Sequence, residues 1–99
     1  MLKIITAKNW WQGMCGLIGR ESLQVDEAFL IPECKQVHTW FMRYPLDVVW
    51  LDSEQRVIAG ELGLKPWRIS KRVPTAKYCV ELAGGGVRRY EIKRGGKIF

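Results

Sequence analysis

The chain lacks anything near the roughly 18 consecutive apolar residues of a membrane helix. Its opening, MLKIITAKNWWQG, has no long apolar segment before a small-residue cleavage site. Both absences lead us to expect a cytoplasmic protein with no membrane partner. Histidine occurs once, at His38. Cys15, Cys34 and Cys79 cannot all pair and none forms a CxxC, so reduced thiols are expected, and neither a zinc site, nor another metal, nor a cofactor. Repeats and low-complexity segments are missing too. What is present is an average globular composition, 47% apolar and 26% charged over 99 residues. That excludes disorder, collagen-like chains and coiled coils. A chain this short builds one core, so residues 1–99 are read as a single domain.

Charge is unevenly placed. Of the net +6, residues 1–64 contribute −2 and residues 65–99 contribute +8. Lys65, Arg68, Lys71, Arg72 and Lys77 follow one another without an intervening acid, and Arg88, Arg89, Lys93, Arg94 and Lys97 have only Glu91 among them. Such an excess attracts acidic partners. It is spread rather than blocked, which also fits solvated faces that keep a small domain soluble.

The apolar pattern has mostly the two-residue period of strands. Leu2 to Ala7 is a short β-branched run. Trp10 to Arg20, with Gly13, Gly16 and Gly19, fits a frayed helix or a compact loop. Strands are expected at 28–31, ending at Pro32, then over Gln36 to Met42 and Leu46 to Asp52 as a hairpin, with Arg56 to Leu62 returning as the third strand of a meander. Lys77 to Ala83 is a further strand, placing Tyr78, Val80 and Leu82 on one face, Cys79 and Glu81 on the other, and Lys77 and Glu81 outward. One helical turn over Val87 to Ile92 and a short strand from Lys97 to Phe99 complete the chain. The fold expected is mainly β, a small antiparallel barrel or sandwich with one or two short helical segments.

The richest stretch is CKQVHTWFMRYPLDVVWLD, residues 34–52, which holds the only histidine, one cysteine and two aspartates. Cys34 with His38 could make a thiolate nucleophile, His38 with Asp47 an oriented base, and Cys34, His38 and an aspartate a metal site. In the expected hairpin, His38 faces Trp50 while Asp47 lies on the other side, beside the Thr39 hydroxyl. That separates His38 from Asp47. Cys34 has no cationic neighbour except Lys35, which gives a lowered thiol pKa little support. Asp47, between Leu46 and Val48, reads as a structural carboxylate accepting turn hydrogen bonds. Of five tryptophans, Trp40 and Trp50 fit the core, whereas Trp10, Trp11 and Trp67 fall in expected loops, where an exposed indole marks a partner surface or merely caps the core.

The same stretch resembles a bacterial and archaeal family, the domain of unknown function 192, also called uncharacterised protein family 0127. The resemblance is carried by Gly16-Leu17-Ile18-Gly19-Arg20, Ile31-Pro32-Glu33-Cys34, Val37-His38-Thr39-Trp40 with Met42, and the run from Pro45 to Asp52. Val80-Glu81-Leu82 fits a further family strand, and Gly95-Gly96 departs from a frequent Gly-Asp turn. The resemblance implies a mainly antiparallel β-barrel or sandwich with a short helical segment, and no enzymatic activity to carry over.

From these residues we expect a non-enzymatic module that binds a protein or small-molecule partner near His38, Arg43, Tyr44 and Trp67, with Cys34, Thr39 and Asp47 structural or weaker site residues. Two rivals are an enzyme using Cys34 and His38, and an accessory protein that binds nucleic acid weakly through the basic last third. No RNA- or DNA-binding motif is present for the latter.

Overall fold

The structure, a computed structural model, describes residues 2–6, 23–39 and 43–98. Its strands are β1 (Lys3–Thr6), β2 (Glu27–Pro32), β3 (Leu46–Leu51), β4 (Val57–Leu64) and β5 (Tyr78–Ala83), followed by one helical turn, α1 (Gly86–Arg89). They form a single five-stranded sheet in the order β1-β2-β5-β3-β4. The mainly β expectation holds. β1 runs parallel to β2, and the other pairs are antiparallel.

All six residues of β3, Leu-Asp-Val-Val-Trp-Leu, are buried, as are Cys79 to Leu82 of β5. Strands covered on both faces tolerate apolar residues at every position. The β3–β4 hairpin turns on Asp52, whose Oδ1 accepts the Glu54 and Arg56 N–H groups, both at 2.9 Å, while Gln55 takes a left-handed φ of 65°. β4 carries Gly60 and Gly63 and is buried only at its ends, Val57 and Leu64, as suits its place at the edge of the sheet.

The first face of the sheet buries Phe29, Ile31, Val48, Trp50 and Cys79 beneath Leu23, Cys34, Val37 and Ala76. The second buries Ala28, Val49, Leu51, Val80 and Leu82, with Val87, Ile92 and Ile98 packed against them.

The expected hairpin of Gln36 to Met42 with Leu46 to Asp52 does not form. β3 is hydrogen-bonded to β4 on one side and β5 on the other, so it has no free edge for residues 36–39. That segment instead lies over the first face and pairs with the loop after β4. His38 bridges Ile69, Thr39 N–H donates to the Arg68 carbonyl at 2.8 Å, and Trp67 N–H donates to the Thr39 carbonyl at 2.9 Å. The meander is therefore two strands rather than three. The final strand reduces to an Arg56–Lys97 bridge. Expectations for Trp10 to Arg20, Cys15, Trp40 and Met42 fall outside the described residues.

Candidate functional site

Two segments strap the first face, residues 34–39 and residues 65–76, and Thr39 fastens them. Its fully buried hydroxyl donates to the Lys65 carbonyl at 2.6 Å and accepts the Arg68 N–H at 2.9 Å. Ser70 does the same at the next step, its Oγ accepting Val37 N–H at 3.0 Å. The expected Thr39 bond to Asp47 is absent, because Thr39 sits in the strap and not on a strand beside β3.

The strap brings His38, Thr39 and Trp67 together. His38 is half-buried, and loss of hydration lowers its pKa below the ordinary 6.5. Trp67, in the tight turn after Pro66, holds a left-handed φ of 63° and is 58% exposed. Leu62 and Ile69 are exposed to a similar degree, 56% and 57%. An open hollow of about 370 Å³ joins Leu62 and Ile69 to Lys65 and Arg68. The one carboxylate lining it among the described residues is Glu61, whose Oε1 accepts the Lys71 N–H at 3.0 Å. Arg43 is exposed, and Tyr44 is half-buried against the first-face core.

Cys34 and Asp47 lead elsewhere. Asp47, only 2% exposed, accepts the Gly63 N–H at 2.9 Å through Oδ1 and the Val87 N–H at 3.0 Å through Oδ2. One carboxylate thus ties the start of β3 to the end of β4 and to α1. Cys34 donates to the Gln36 carbonyl at 3.3 Å. A hydrogen bond from the Cys79 thiol lowers its pKa, against burial, and a backbone hydrogen bond from Gln36 to the sulfur adds to the lowering. His38 is not among these influences. A lowered Cys34 pKa was not expected, since the sequence shows no sign that Cys79 lies beside it. Cys34 and Cys79 are both free thiols.

Sequence reasoning also missed Glu81. It was expected to face outward, yet it is 3% exposed on the first face of β5, because the strap covers that face. Its Oε2 has no hydrogen-bond partner. Burial, with a smaller contribution from Cys34, raises its pKa from 4.5 to about 8, so the neutral acid prevails at pH 7. The resemblance to Val80-Glu81-Leu82 of the family strand was the one signal that singled this residue out. No group of three or more His, Cys, Asp or Glu side chains suited to a metal ion occurs among the described residues.

Sheet and strap together define a class: a small mainly β domain whose central strands are covered on both faces, with a basic and apolar surface beside its edge strand. The chain belongs to the family described as uncharacterized ACR, COG1430, domain of unknown function 192, whose model matches residues 1–99. It is 30% identical over 100 residues to a UPF0127 protein of Pyrococcus furiosus, covering 98% of this chain and 85% of that one. A UPF0127 protein of Thermococcus kodakarensis is 36% identical over 62 residues, which cover 63% of this chain and only 39% of that longer relative. A protein of unknown function from Novosphingobium aromaticivorans has the same fold, with a TM-score of 0.84 at 20% identity over 97% of this chain and 73% of its own. Among the described residues no helix is long and apolar enough to cross a membrane.

Proposed function

We infer that this domain is a binding module and not an enzyme, and that it takes an acidic protein segment carrying apolar side chains on the surface of Leu62, Lys65, Trp67, Arg68 and Ile69. The observation that carries this reading is one hollow that pairs Leu62 and Ile69, each more than half exposed, with the cations Lys65 and Arg68, next to the exposed Trp67 of the intervening turn. Isolated exposed apolar residues are ordinary, but a group of them rimmed by polar and charged residues is what a partner surface requires; here the cations outnumber the one carboxylate, Glu61, whose Oε1 is already engaged by the Lys71 N–H. Lysine and arginine steer an acidic segment in, and the indole and aliphatic side chains supply the desolvated contact. The rival enzyme needs Cys34 and His38 to act on one another, whereas the Cys34 thiol is engaged by Cys79 and Gln36.

The test is an amide-resolved NMR titration of the whole chain with a glutamate–tyrosine copolymer, polyglutamate and a short DNA duplex. The reading expects saturable shifts at residues 62–69 with the copolymer, weaker ones with polyglutamate, and loss of both in Ile69→Glu. Shifts confined to other regions would overturn it. Tighter binding of the duplex, weakening steeply with salt, would replace it with the nucleic-acid reading.

A further inference from the structure

The second face of the sheet holds a different cavity, of about 310 Å³, near the lower end of the ~300–1,000 Å³ typical of small-molecule sites. Its apolar walls come from two parts of the chain. Val49, Val57 and Leu62 belong to strands, while Val87 and Ile92 belong to the helical turn and the residues after it. Asp47 sets the gap between them, because one of its oxygens holds Gly63, next to Leu62, and the other holds Val87. Gly60 keeps the space open from the β4 side. A Cβ there would come within 3.3 Å of Val49 Cγ1.

The described lining contains no acid and no aromatic residue. Its charged members are Arg94 and Lys71. Arg94 makes no ion pair among the described residues. The Lys71 ammonium lies 6.0 Å from the centre of the Trp50 ring, whose side chain belongs to the first face of the sheet. Arg94 is thus the cation placed to meet an anion, and guanidinium matches a carboxylate bidentately. Aliphatic walls without polar side chains to orient a polar body favour a hydrocarbon chain.

We propose that this cavity binds an unbranched aliphatic carboxylate of medium chain length, its chain lying between Val49, Leu62 and Ile92 and its carboxylate on Arg94. The site is separate from the partner surface described above and shares only Leu62 with it. It therefore stands or falls independently of that reading.

Amide-resolved NMR titrations of the whole chain with octanoate, octylammonium and acetate test it. Octanoate should give saturable shifts at Val49, Gly60, Leu62, Val87 and Ile92, octylammonium should bind at least about tenfold more weakly, and acetate should leave these amides unmoved. Arg94→Glu should weaken octanoate by a similar factor, with Arg94→Gln in between and serving alone if the charge reversal disturbs the fold. Equal binding of octanoate and octylammonium would overturn the proposal by reducing the site to a non-selective apolar hollow. Octanoate shifts that do not saturate, that map to residues 62–69 without Val87 and Ile92, or that persist unchanged in both Arg94 variants would overturn it as well.

Discussion

Two buried carboxylates behave in opposite ways because of what surrounds them. Asp47 has an N–H donor on each oxygen, from Gly63 and Val87. Asp47→Ala should cost about 2–4 kcal/mol in urea unfolding, since two amides lose a charged acceptor, and Asp47→Asn, which retains one acceptor, should cost less. Glu81 has no partner on Oε2, and burial raises its pKa to about 8. The folded state therefore holds a proton that the unfolded chain releases near 4.5. Stability from this group is fully present below that lower value, declines as pH rises, and is lost by about pH 8. Urea titrations at pH 5 and pH 8 should differ by an amount on the order of a few kcal/mol, and Glu81→Gln should remove most of that difference. A Glu81→Gln variant with an unchanged slope would show that Glu81 does not hold the proton. Asp47 was legible in the sequence because an acid between Leu46 and Val48 must find donors. Glu81, between Val80 and Leu82, was not, because the same alternation describes an exposed residue until something covers the face.

At the scale of elements, the strap joins two segments that are distant in sequence by hydrogen bonds to Thr39 and Ser70. Thr39→Val keeps the shape of the side chain and removes its hydroxyl, leaving the Lys65 carbonyl and Arg68 N–H without that partner. A loss of about 1–3 kcal/mol is expected. Hydrogen exchange should quicken first at Trp67 and Arg68 and leave β3 and β5 slow, because strap opening does not require the central strands to part. Uniform acceleration across all strands would show instead that strap and sheet open as one unit. Strand positions were largely readable: β1, β2, β3, β4 and β5 overlap the apolar runs found in the sequence. The partner of residues 36–39 was not. Their β-branched valine and threonine are equally suited to a strand beside β3 and to a strap above it, and β5 takes the place at the edge of β3.

For the whole molecule, far-UV circular dichroism should be dominated by strand, with helix below about a quarter. A helix-dominated spectrum would contradict the five-stranded sheet. By itself the sequence determined a mainly β domain, the burial of Trp50, the loop at Trp67 and the need of Asp47 for hydrogen-bond donors, since period-two patterning and the cost of burying an unpaired acid act within a few residues. The tertiary structure alone decided that Cys34 meets Cys79, that Glu81 is enclosed, and that Arg94 lines an apolar cavity. Each of these depends on which segment crosses which face of the sheet. Apolar residues at both alternating positions of β3 and β5 call for cover on both faces, and local patterning does not choose the segments that provide it.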